Sequence, residues 1–125
     1  MTWEDAEPQD VDEVETEEQR VLICQSCGQE LADEEGLVSI AGGATVRQFV
    51  NPAGVMHEVI TIVGAHDIRD HGERTEDFSW FPGWTWRFTD CGSCQAFVGW
   101  CFEAVDPGLQ PPRFHGLRLA AVAWG

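Results

Sequence analysis

The chain has 125 residues, enough for one domain and too few for two of ordinary size. Its formal charge of −15 comes from 22 acids against seven arginines, and it carries six tryptophans but neither lysine nor tyrosine. That balance leaves no basic stripe for nucleic acid or an anionic membrane surface, and no stretch approaches the roughly 20 consecutive apolar residues of a membrane span.

Nine of the acids precede Arg20, in MTWEDAEPQDVDEVETEE. A segment so charged and so poor in apolar residues cannot offset the entropy of ordering, so residues 1–19 are expected to be a disordered acidic tail and 20–125 the folded domain. The N-terminus is acidic where a signal peptide would be basic, which points to a cytoplasmic protein. After the tail, VLICQSCGQEL is an apolar run interrupted by a Cys-x-x-Cys turn, and ADEEG reads as a polar loop or brief helix. GLVSI, ATVRQFV and VMHEVITIV read as strands. Asn51-Pro52-Ala53-Gly54 supplies turn chemistry between the last two and predicts a hairpin. Period two sets Val55, His57, Val59, Thr61 and Val63 on one face of the last run.

Gly64 to Asp77 lacks either period and reads as a long exposed loop. FSWFPGWTWRF then places three Trp and three Phe in eleven residues around a Pro-Gly turn. QAFVGWCFEAV alternates as a strand, with Ala96, Val98, Trp100 and Phe102 on one face, and GLRLAAVAWG reads as one final strand. Helical periodicity is nowhere sustained, so the predicted fold class is mostly β.

Four of the five cysteines form two Cys-x-x-Cys pairs, Cys24/Cys27 and Cys91/Cys94. Two residues between thiolates let one tight turn present both sulfurs to a single ion, and Gly28 and Gly92 supply backbone freedom for such turns. Four thiolates fill a tetrahedral shell and leave no position for water or substrate, so the expected cofactor is structural Zn2+. The two pairs are 63 residues apart, so the ion would pin the start of the domain to its last third. Cys101 is left over as a small buried hydrophobe, and His57, His66, His71 and His115 lie in no ligand or catalytic motif.

Trp80, Trp84, Trp86 and Trp100 flank the second cysteine pair. Extended backbone after Gly83 would put Trp84, Trp86 and Phe88 on one face, with Trp80 free to form a further wall. These rings suit a core, a cage for a flat neutral ring, or a cage for a methylated ammonium, and the residues alone leave the three open.

Beyond this, the chain resembles the thalidomide-binding, or CULT, domain of cereblon, and in particular its single-domain bacterial homologues. The resemblance runs from about Leu22 to Leu119. Its carriers are CQSCG at Cys24–Gly28, NPAGVMHE at Asn51–Glu58, SWFPGWTW at Ser79–Trp86, CGSC at Cys91–Cys94 and FVGWCF at Phe97–Phe102. It implies two antiparallel sheets meeting at an angle, stapled by a four-cysteine zinc. It also implies a pocket for glutarimide and related cyclic imides, with uridine-like rings and cyclic imides at protein C-termini as natural candidates. By motif match the cage walls would be Trp80, Trp86 and Trp100, with Phe102 at the base and Asn51 and Pro52 at the mouth. Backbone groups of the Phe78–Ser79–Trp80 segment would meet the imide edge, through the Phe78 carbonyl and the Trp80 N–H. Relatives often carry His where this chain has Phe78, a change that a backbone contact survives. Full cereblon is a ubiquitin-ligase substrate receptor and needs a further N-terminal domain and an adaptor-binding segment. The resemblance therefore implies non-catalytic ligand binding here, without a ligase adaptor as partner. Two alternatives share the features: a methylammonium reader using Glu76 or Asp77, and a sulfoxide reductase using Cys101.

Overall fold

The structure is a computed structural model and describes residues 20–125; the expected tail lies outside them. Among the described residues nine strands form two antiparallel sheets and there is no α-helix. In chain order they are β1 (Val21–Cys24), β2 (Glu30–Asp33), β3 (Val46–Val50), β4 (Met56–Ile62), β5 (Ile68–Thr75), β6 (Trp84–Cys91), β7 (Phe97–Ala104), β8 (Arg113–Arg118) and β9 (Val122–Trp124), with a 3-10 turn at Glu34–Gly36. The small sheet is ordered β9-β1-β2 and the large one β3-β4-β8-β7-β6-β5.

The predicted hairpin is present: Val50 pairs with Met56 across the Asn51–Gly54 turn. The expected alternation along β4 holds only in its first half, because every residue from Val59 to Ile62 is buried. Val59 joins an aromatic cluster with Phe81, Trp84, Trp100, Phe102 and Phe114, whereas Ile60 and Ile62 join a second cluster with Leu22, Leu31, Val98, Leu117 and Val122. That second cluster draws on both sheets, and burying such area is the main force holding them together.

Four expectations are corrected. Ile68–Thr75 is a strand, not a loop. It is the polar outer strand of the large sheet, paired with β6, and its side chains engage charges: His71 with Asp90 at 2.9 Å and Arg74 with Glu103 at 2.9 Å. An edge strand defended by charge carries no hydrophobic alternation to read. GLVSI is not a strand: it is held by the Leu37–Ile62 bridge and the Val38 N–H to Thr61 carbonyl bond, and it buries Ile40 in the aromatic cluster. The final run is broken by a turn in which the Ala121 N–H bonds the Arg118 carbonyl, so Gly116 ends up in the large sheet and Val122 in the small one.

The fourth correction lies in β7. Thr89 pairs with Gly99 but Asp90 pairs with Phe97, a bulge that leaves Val98 over. Period two is broken there, so Val98 packs between the sheets while Phe97 contacts Trp100 at 5.3 Å between centroids. Gly99 is required beside the bulge because a Cβ there would meet the Gly116 carbonyl oxygen at 2.1 Å.

Candidate functional site: a four-cysteine cluster and an aromatic cavity

The β1–β2 hairpin ends in the first cysteine turn, where the Gly28 N–H bonds the Cys24 carbonyl at 2.8 Å and the Cys24 N–H bonds the Gln29 carbonyl at 2.9 Å. The β6–β7 connection repeats this: the Gln95 N–H bonds the Cys91 carbonyl at 2.8 Å and the Cys91 N–H bonds the Ala96 carbonyl at 2.8 Å. Each turn needs a left-handed residue after its second cysteine, Gly28 in one (φ 81°) and Gln95 in the other (φ 68°). Gly92 serves differently from expectation: its backbone lies against Asp67, where a Cβ would come within 2.7 Å of the carbonyl oxygen.

These turns bring together four sulfurs that all lie within 4.8 Å of one another, with Cys24–Cys94 at 3.6 Å and Cys27–Cys91 at 3.7 Å. A tetrahedral ion with metal–sulfur bonds of about 2.3 Å requires sulfurs about 3.8 Å apart, so the cluster has the dimensions of such a site and can hold a metal ion. The protons are already unevenly held. The Gln29 backbone and the neighbouring sulfurs lower Cys27 to about 7. At Cys94 the Ala96 backbone acts downward, but burial and the three other sulfurs prevail and push it up to about 12.

On the large sheet, cross-strand pairs Trp86–Phe102 and Phe88–Trp100 set four rings side by side, and Phe102 stacks on Phe114 at 4.9 Å. The 78–81 segment closes over them. Trp80 stands edge-to-face on Trp100 (4.8 Å, 77°) and lies flat on Phe49 (4.9 Å, 7°). The result is a cavity of about 250 Å³. It is lined by Trp80, Trp86, Trp100, Phe102, Phe88 and Phe97 together with Asn51, Pro52 and Phe78. None of these nine residues is charged.

Backbone carbonyls accept from two of the lining indoles. The Trp80 Nε1–H donates to the Val50 carbonyl (3.2 Å), and the Trp86 Nε1–H donates to the Asp77 carbonyl (2.7 Å). Asn51 folds its own turn: its Oδ1 accepts from the Ala53 N–H (3.0 Å) and the Val55 N–H (2.9 Å). Phe78 is 74% exposed in a left-handed conformation (φ 60°). Ser79 does not line the cavity; its hydroxyl is engaged with the Phe81 backbone. Trp84 is withdrawn into the core, with its Nε1–H on the Pro111 carbonyl at 2.9 Å.

Two lining rings escaped the expected set. Phe88 was available from its shared face with Trp86, and Phe97 was hidden by the bulge. His57, which lies in no ligand or catalytic motif, packs against two lining rings, 5.2 Å from Trp100 and 5.9 Å from Trp80.

Cys101 is 1% exposed and belongs to a separate buried network. Burial and the Asp70 carboxylate push its thiol up to about 11. Asp70 holds the network: it accepts from Thr89 Oγ1 (2.5 Å), Arg113 (2.6 Å) and His115 Nε2 (3.0 Å).

No family model matches the chain. Among curated proteins it is similar to protein cereblon of Drosophila willistoni (38% identical over 110 residues, 86% of this chain and 18% of the relative). It is also similar to protein cereblon of Drosophila pseudoobscura pseudoobscura (37% over 110 residues, 86% and 18%) and of Danio rerio (34% over 102 residues, 81% and 24%). The chain spans less than a quarter of the length of these relatives.

Proposed function

We infer that this chain, a cereblon-like CULT domain, is a non-catalytic binding module that captures small, flat, neutral rings of the cyclic-imide class in its aromatic cavity. The observation that carries the reading is a cavity of about 250 Å³ walled by three indoles, without a charged lining residue and with few polar atoms. A glutarimide has two methylenes to lie against the indoles and an acceptor–donor–acceptor edge. The backbone of Phe78 and Trp80 at the rim offers a carbonyl and an N–H to that edge. Uridine-like rings and C-terminal cyclic imides of proteins share this edge and are the natural ligand classes that follow.

The two alternatives lack support. A methylammonium cage wants a carboxylate beside the rings. Glu76 and Asp77 do not line this cavity, and Asp77 contributes only its carbonyl, to Trp86. A reductase nucleophile wants an accessible thiolate, whereas Cys101 is buried, held protonated and outside the cavity lining. The metal proposed for Cys24, Cys27, Cys91 and Cys94 is zinc, bound by four thiolates with no open position, which supplies cross-linking and no catalysis.

The test is a titration of the zinc-loaded protein with glutarimide, read by tryptophan fluorescence, with trimethylammonium and methionine sulfoxide in parallel. Saturable quenching by the imide alone is expected. A response confined to either other compound overturns the reading.

A further inference from the structure

We propose that His57 is a positioning residue for the cavity mouth: its neutral ring accepts a hydrogen bond from Asn51, and protonating that ring releases Asn51 and weakens capture of a neutral ligand. The inference rests on the binding function proposed above and deepens it.

The geometry fixes the direction of the hydrogen bond. Asn51 Oδ1 already accepts from the Ala53 and Val55 amides, so the other end of the carboxamide, Nδ2, faces His57 Nε2 at 3.4 Å. An amide nitrogen only donates, so Nε2 must be the unprotonated acceptor and the ring proton sits on Nδ1. A second proton at Nε2 sets donor against donor. Asn51 then has to turn away, and turning it withdraws Oδ1 from the Ala53 and Val55 amides, two of the bonds that close the 51–55 turn, so the lining residues Asn51 and Pro52 move with it.

The surroundings also favour the neutral ring. The groups packed against it on β3, the 78–81 segment and β7 are Phe49, Trp80 and Trp100, none of them titratable. β8 contributes one charge, Arg118. Burial first, then that guanidinium, lowers the pKa of His57 below its ordinary value. The ring also braces Trp80 and Trp100 from behind, so its state is felt at two walls and the mouth together.

The test uses the full zinc-loaded chain, 15N-labelled, between pH 7.5 and 4.5. Long-range proton–nitrogen correlations report the His57 tautomer, and the Asn51 side-chain amide signals report its partner. Glutarimide affinity is followed in parallel for the wild type and for His57→Gln, whose side-chain oxygen can accept from Asn51 at any pH. The expected result is an Nδ1–H tautomer, Asn51 signals that move with the His57 midpoint, and wild-type affinity about tenfold weaker one pH unit below that midpoint. The His57→Gln affinity, whatever its starting value, should stay flat. A His57 ring neutral down to pH 4.5, Asn51 signals indifferent to its titration, or parallel pH profiles for both proteins would each overturn the inference. If the imide binds at no pH, the proposed function fails, while the tautomer and amide signals still decide the role of His57.

Discussion

An indole lining a cavity keeps one N–H that needs an acceptor, and backbone carbonyls supply it for Trp80 and Trp86, Val50 at the end of β3 and Asp77 in the loop after β5. Those bonds hold the rings upright at the cavity edge, so the two wall types respond differently to truncation. Trp86 is half-buried; Trp86→Ala is expected to abolish imide quenching while zinc content and thermal midpoint stay close to wild type. Trp100 is only 7% exposed and supports both cavity and core, so Trp100→Ala should lose binding and also about 3–5 kcal/mol of stability, measured by urea unfolding. Equal destabilisation by both would mean that the rings serve the core alone. Crowding near the second cysteine pair drew attention to four indoles and only the family resemblance singled out Trp80, Trp86 and Trp100, whereas the role of Asp70 was not legible, because its partners come from other strands. Burial alone would raise its pKa; the bonds from His115 and Thr89 and the Arg113 charge prevail and hold it well below the usual carboxylate range. A carboxylate so depressed binds fewer protons folded than unfolded, so its stabilisation is full above pH about 4 and declines as the pH falls further. Asp70→Asn should cost about 3 kcal/mol at neutral pH and flatten the acid limb of a stability profile, the smaller end for a broken buried pair because Arg113 can return to water. An unchanged acid limb would show that the network is incidental.

Elements were legible where one face is apolar and invisible where pairing rests on charge or on a defect in register. β4 and β7 announced themselves by alternation, β3 by β-rich composition and β6 only on the condition of extended backbone after Gly83, whereas β5 engages charges through His71, Arg74 and Asp70 and has Ile68 alone as an apolar side chain. In β7 the pattern continues straight through the bulge, but the backbone does not, and the cavity gains Phe97 in place of Val98. The device depends on Gly99, which pairs with Leu117 and lies so close to the Gly116 carbonyl oxygen that no Cβ is tolerated. Gly99→Ala must therefore push β7 off β8, at a cost of about 1–3 kcal/mol by the measure of overpacked cores. The midpoint should fall by about 4–8 °C for each kcal/mol in a domain of this size. Because Trp100 and Phe97 flank the shifted residue, imide binding should fall further than stability alone explains. A variant with lowered midpoint and intact affinity would place the bulge outside the machinery of the cavity.

At the scale of the molecule, the apolar cluster of Leu22, Leu31, Val98, Leu117 and Val122 joins the small sheet to the large one, and the four cysteines do so as a second attachment, alongside backbone contacts such as the His66 N–H to the Leu31 carbonyl. The paired cysteine spacing alone made the second attachment legible; the first was not, since it takes residues from runs at opposite ends of the chain. The aromatic cavity is lined by residues of the large sheet and its loops, so it and the four-cysteine cluster are spatially separate. The small sheet has three short strands and a few apolar anchors, too little to be stable by itself, so the metal should contribute disproportionately to its order. Removing the ion with a chelator under reducing conditions is therefore expected to lower the thermal midpoint sharply. Amide exchange should rise first at Val21–Cys24, Glu30–Asp33 and Val122–Trp124, with Phe97–Ala104 and Arg113–Arg118 protected longest. Uniform loss of protection across both sheets would mean that the ion holds the whole domain as one cooperative unit. No change in the midpoint once the metal is gone would mean that the apolar cluster suffices, and that the four sulfurs, though placed for an ion, do not staple the fold.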